Sequence, residues 1–150
     1  MTSPTVEVGD IEAIRQLKAR YFRTMDQQDW DGYREVFTSD VIIDTTDDTG
    51  PGTQIIGREA YLDMLAVVLE GAITVHHGHM SEIEVDGDAA HGVWSMEDHI
   101  WFSEESGIAT LWGTGWYEET YRRVDDEWKI SHLVLRRQRV EMGGVQTFPH

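Results

Sequence analysis

Residues 74–102, TVHHGHMSEIEVDGDAAHGVWSMEDHIWF, decide how this chain folds. They read as two long strands joined at Asp86-Gly87-Asp88, because Asp-Gly between alternating runs is the strongest short-range hairpin signal. Successive side chains of a strand point to opposite faces. On the second strand Trp94, Met96, Asp98, Ile100 and Phe102 therefore share one face, and Asp98 is the single charge in an apolar row. Desolvating an unpaired carboxylate is costly, so Asp98 needs a partner or a purpose. Three histidines, His76, His77 and His79, open the first strand close to that acid. Alternation puts His76 with Met80 and Glu82, and His77 and His79 with Ile83 and Val85; a bulge at Gly78 would switch that phase.

Downstream, two further strands are expected at 108–124 and 127–141, after short polar connections. The third strand sets Trp112, Thr114 and Trp116 on one side and Gly113, Gly115, Tyr117 and Tyr121 on the other. Glycines within a strand mark a bend or room for a ligand against the backbone. So many indoles around a curved sheet suit a flat hydrophobic ligand, although aromatic rows also serve as plain core. On the last strand Leu133, Leu135, Arg137 and Arg139 share a face. Arg137 is placed either to enter the cavity of Asp98 and hold it ionised, or to join a solvated basic run with Arg136 and Arg139.

Upstream, Asp10 reads as the N-cap of a helix carrying Ile11, Ile14, Leu17, Tyr21 and Met25 at helical spacing. Tyr21 and Asp26 lie on the two edges of that stripe, about 140° apart at 100° per residue. If the stripe faces a cavity both can reach it; a core tyrosine and a helix-terminal acid fit the same spacing. A short helix at 30–37, a strand at 41–44, a loop at 45–53 rich in Asp, Gly and Pro, and a third helix at 57–70 follow. Asp40, Asp44, Asp47 and Asp48 crowd the loop region without the spacing of a calcium loop. The histidines lack an HExxH or CxxC partner for zinc. No metal is expected. Three helices and a small strand before four long antiparallel strands define an α+β domain with its helices on one face.

At 150 residues the chain suits one domain. Its divisions are expected at 1–9, a flexible N-terminal arm, 10–141, the folded domain, and 142–150, a C-terminal tail. Without cysteine there is neither a disulfide framework nor thiolate chemistry, which fits a reducing, cytoplasmic setting. No run reads as a membrane span or a signal peptide. The formal net charge of −16 opposes nucleic acid and anionic lipid, and it excludes partners better than it names them.

The order helix, helix, strand, helix, four-stranded sheet resembles the SnoaL-like, nuclear transport factor two-like superfamily. The narrower resemblance is to bile-acid 7-alpha-dehydratases. It is carried by IEAIRQLKARYFRTMDQQDWD, ITVHHGHMSEIEVDG, GVWSMEDHIWF and WKISHLVLRRQRVE, together spanning about residues 10–141. The resemblance implies a cystatin-like cone, three N-terminal helices packed on a curved, mainly antiparallel sheet. It places the active-site residues at Tyr21, Asp26, His76, Asp98 and Arg137; the doubled His76-His77 leaves the histidine open by one position. Trp94, Met96, Trp112, Trp116 and His77 are the expected substrate contacts.

The implied activity is that of a lyase, without cofactor, removing water from a hydroxylated hydrophobic cyclic or aromatic molecule. His76 would move the proton, as an imidazole does well near neutral pH. Tyr21 would bind the oxygen on which charge develops. Asp98 would orient the imidazole, Arg137 would fix Asp98 or the substrate, and Asp26 would tune Tyr21 or assist proton movement. The same groups could run a formaldehyde-releasing retro-aldol cleavage or an isomerisation of lignin-type aromatics, and the same cone also serves non-catalytic ligand-binding modules. Assembly as a homodimer or homotrimer is expected by analogy.

Overall fold

A computed structural model describes residues 4–143 and 145–148 of the chain. The first helix, α1 (Pro4–Asp26), buries Ile14, Leu17, Tyr21 and Met25 along one stripe, the set its spacing picks out. It starts earlier than its expected cap. Residues 4–9, read from sequence as an arm, are its opening turns, and proline is suited to a helix start because its missing N–H would have no partner there. Met1, Thr2 and Ser3 lie outside the described residues. Asp10 is therefore inside the helix. Its Oδ1 accepts from Trp128 Nε1 at 3.0 Å and Arg123 Nη2 at 3.1 Å, tying α1 to the far hairpin.

After α2 (Trp30–Arg34), capped by Asp29 accepting from the Gly32 N–H, come β1 (Phe37–Asp44), the single turn α3 (Thr46–Thr49) and β2 (Ile55–Ile56). α4 (Arg58–Val68) precedes the long strands β3 (Ile73–Asp86), β4 (Ala89–Trp101), β5 (Thr110–Val124) and β6 (Glu127–Met142). The strands lie in the order β2-β1-β6-β5-β4-β3, with β1 parallel to β6 and the other neighbours antiparallel. The α+β cone is the one expected: α1 lies against β3 and α4 against β1, so the helices cover the concave face. Two boundaries differ. β1 begins at Phe37, paired with Ile130, and β7 (Val145–Phe148) continues the sheet along β6 where a tail was expected.

Register fixes the faces. His76 stands opposite Asp98, His77 opposite Glu97 and Gly78 opposite Met96. The irregularity of β3 falls between His79 and Glu82, where Met80 has φ 33°, and not at Gly78. Gly78 is there for closeness: a Cβ would sit 2.7 Å from the Phe22 ring. Alternation therefore runs unbroken through the histidines, turning His76 inward and His77 and His79 outward. No helix among the described residues is long and apolar enough to cross a membrane.

Candidate active site

The helices and the curved sheet enclose a mainly apolar cavity of about 400 Å³. Its body is made by Met25, Met64, Leu65 and Leu69 from the helices and by Ile100, Leu111, Leu133 and Leu135 from the strands. Into this lining project four polar groups read from the sequence: Tyr21, His76, Asp98 and Arg137.

The imidazole is held from behind. Asp26, the last residue of α1, accepts three hydrogen bonds: from His76 Nδ1–H at 2.7 Å, from the His76 backbone N–H at 2.9 Å and from the Thr74 hydroxyl at 2.8 Å. A carboxylate taking three donors is acceptor-only, so the ring proton sits on Nδ1 and the Nε2 lone pair is left toward the cavity. Nε2 is 3.9 Å from Asp98 Oδ2. His76 is 8 % exposed, whereas the His77 and His79 side chains are more than half exposed and lean toward Glu97. Of the two histidines left open in the sequence, His76 is the one that lines the cavity. Of the two roles expected of Asp26, its contacts are with the imidazole and not with Tyr21.

Arg137 joins Asp98 end-on, Nη1 to Oδ1 at 2.7 Å and Nη2 to Oδ2 at 2.8 Å. Its other edge is taken by Asp48, Nε to Oδ1 at 2.9 Å and Nη2 to Oδ2 at 3.1 Å. Its backbone N–H donates to Asp47 Oδ2 at 2.8 Å. Burial works to lower the Arg137 pKa, but the hydrogen bonds and charge of Asp98, then of Asp48, hold it above the ordinary arginine value. The guanidinium is therefore a permanent cation locked between two carboxylates.

Beside them Tyr21, Tyr61 and Tyr117 face the cavity, and the Tyr61 hydroxyl meets that of Tyr33 at 3.2 Å. Burial, then the neighbouring hydroxyls, pushes Tyr21 well above the ordinary tyrosine range; for Tyr117 burial is followed by the charge of Asp98. These phenols stay protonated and can donate. Behind them Lys18, fully buried, pairs with Glu119 and sets its ammonium 3.5 Å and 3.7 Å from the ring centres of Tyr21 and Tyr117.

The remaining expected contacts lie elsewhere. Trp112, Trp116 and His77 belong to the outer face of the sheet, where Trp116 is 38 % exposed and donates to Glu118. Inward positions of β5 go instead to Leu111, Gly113, Gly115 and Tyr117, so the expected indole contacts with substrate face away from the cavity. Trp94 is buried, but its indole N–H goes to the Tyr121 hydroxyl at 2.9 Å, away from the cavity. Met96 is core, its sulfur 3.7 Å from Arg137 Nη1. Gly113 gives room to the ion pair and not to a ligand: a Cβ there would lie 2.3 Å from Arg137 Nη1 and 2.7 Å from Asp98 Oδ1. Among the described residues no group of three or more His, Asp or Glu is arranged to hold a metal ion.

A model of the SnoaL-like domain family matches residues 6–134. Several solved structures share the fold. A variant of Rv3472, a protein of unknown function from Mycobacterium tuberculosis, is 27% identical over 87% of this chain and 77% of its own, with a TM-score of 0.73. A protein provisionally assigned as a scytalone dehydratase from Novosphingobium aromaticivorans is 20% identical over 89% and 87%, with a TM-score of 0.77. The hexachlorocyclohexane dehydrochlorinase LinA-type3 from Novosphingobium barchaimii is 20% identical over 95% and 97%, with a TM-score of 0.75.

Proposed function

This chain belongs to the SnoaL-like domain family, and from that premise we propose that it is a lyase. The reaction is loss of water from a hydroxylated, mainly hydrophobic cyclic molecule of steroid-like or aromatic type. The dehydratase and dehydrochlorinase names among its structural neighbours support elimination as the reaction class. One observation carries the reading: His76 is pinned through Nδ1 by Asp26, with Nε2 directed into an apolar cavity.

Nε2 takes a proton from the carbon next to a carbonyl or equivalent activating group. The C–H electron pair moves toward the carbonyl oxygen, where a tyrosine hydroxyl, Tyr21 in the first place, donates a hydrogen bond to the growing charge. The pair then returns to form the carbon–carbon double bond as the hydroxyl on the next carbon leaves. The imidazolium returns its proton to that oxygen, and water is released. Asp26 supplies negative charge where the imidazolium forms. Asp98, held by Arg137, faces the same nitrogen and steers the ring.

Hydroxylated steroids and aromatics screened for a new conjugated chromophore test the reading. His76→Ala is expected to lower turnover by about 10²- to 10⁴-fold, the usual contribution of a general acid–base group. His77→Ala, on the outer face, is expected to match the parent. Full turnover by His76→Ala would remove the proposed base.

A further inference from the structure

Among the described residues Arg137 is the one lysine or arginine lining the cavity, and an arginine in an apolar hollow ordinarily suggests a seat for a ligand carboxylate or phosphate. Its donors say otherwise. A guanidinium has five N–H groups. Nε–H and one Nη2–H go to Asp48, the second Nη2–H and one Nη1–H go to Asp98, and Nη1 also meets the Met96 sulfur at 3.7 Å. No strong donor remains for a ligand.

The charge balance points the same way. Asp26, Asp48 and Asp98 surround His76 and the single guanidinium, and the tyrosines are held neutral. The site is therefore negative whether His76 is neutral or protonated. Asp47, bonded to the Arg137 backbone N–H, adds a fourth acid at the same edge. An anionic ligand would enter a low-dielectric space already in carboxylate excess, where like charges repel far more than in water. The net charge of −16 opposes its approach as well.

We propose that the cavity admits uncharged or cationic hydrophobic molecules and turns away carboxylates, sulfonates and phosphate esters, with Asp48 as the specificity-determining residue. This rests on the lyase reading in taking the same cavity as the substrate site. Asp98 is buried and cannot leave, but Asp48 sits on the one-turn α3 with its side chain a quarter exposed. Removing its carboxylate opens the Nε and Nη2 edge of Arg137 as a fork for an oxyanion.

The test uses two dyes of the same ring system, uncharged phenylnaphthylamine and anionic anilinonaphthalenesulfonate, titrated by fluorescence into the whole protein and into Asp48→Ala. The parent is expected to bind the uncharged dye at least about tenfold more tightly. In Asp48→Ala the anionic dye is expected to gain at least about tenfold while the uncharged dye stays within about twofold, which also reports that the cavity is intact. Equal or tighter binding of the anionic dye by the parent overturns the proposal. So does an unchanged preference in Asp48→Ala, or failure of the parent to bind either dye. If the variant does not fold, the comparison in the parent still decides. Turnover plays no part in these titrations: a protein that obeys the charge rule and never releases water keeps this inference and loses the lyase reading.

Discussion

At Asp26 a single carboxylate sets the proton inventory of the site. It accepts from Thr74, from the His76 backbone and from His76 Nδ1. In Asp26→Asn the amide oxygen at the Oδ2 position keeps the backbone donor, and the amide N–H₂ at the Oδ1 position then faces Nδ1 and the Thr74 hydroxyl, which can turn to accept. An N–H cannot accept, so the ring proton shifts to Nε2 and the base is lost with little change in shape. Turnover in the proposed dehydration is expected to fall about 10²- to 10⁴-fold with KM nearly unchanged. Unaltered turnover would mean that Nε2 is not the base. The choice between His76 and His77 was nearly legible: Thr74, His76 and the cross-strand Asp98 all follow from strand phase and register. What the sequence could not show is that Asp26, fifty positions earlier, ends α1 beside that strand. Asp48 left no usable trace, because one helical turn inside a Gly- and Asp-rich loop has no periodicity to read.

Elements are locked to one another by charge as well as by grease. α1 reaches β5 through Lys18 and Glu119, both fully buried. Burial draws the Lys18 pKa down to about 8 against the opposing pull of Glu119. Such pairs are weak sources of stability yet costly to halve, because the survivor is a buried charge without a partner. Lys18→Ala is expected to cost about 3–5 kcal/mol in denaturant unfolding, whereas Lys18→Met with Glu119→Leu is expected to be neutral or stabilising by about 1–4 kcal/mol. A double variant as weak as the single one would show that the pair itself holds the helix on the sheet. Neither residue stood out in the sequence. Lys18 occupies the stripe position next to Leu17, and polar residues bordering a helix stripe ordinarily snorkel to water. The long strands were the most legible part: their alternation repeats over many residues, and Asp-Gly marks the β3–β4 turn. β5 shows where alternation stops helping. It separates Trp112 and Trp116 from Tyr117 correctly, but which set faces the helices depends on a tertiary choice, and the tyrosines took it.

Over the whole molecule, that choice makes stability a function of alkali. The chain has five tyrosines, Tyr21, Tyr33, Tyr61, Tyr117 and Tyr121, and all five are buried. Burial is the largest cause that raises each of their pKa values above 10.0. In the unfolded chain they lose their protons near pH 10. Below that pH both states keep the phenolic protons and the stabilisation is fully present. Above it the unfolded state ionises first, so the folded state binds more protons and stability falls with rising pH. Until it ionises in the folded protein each tyrosine contributes about 1.4 kcal/mol per pH unit, so the five together reach at most roughly 7 kcal/mol per unit. Lys18 has the opposite sign. Its folded pKa of about 8 lies below 10.5, so its burial penalty shrinks between about pH 8 and 10.5 and is spent where the tyrosines begin to act. With a total stability of about 5–15 kcal/mol for a domain of this kind, the fold is expected to fail within about two pH units above 10. Circular dichroism and tyrosinate absorbance, followed together, are expected to change in one cooperative step, since no exposed tyrosine is present to titrate earlier. A gradual rise of tyrosinate near pH 10 with the dichroism unchanged would mean that the phenols reach water in the folded protein, and they could then not serve as the dry donors on which the proposed elimination depends.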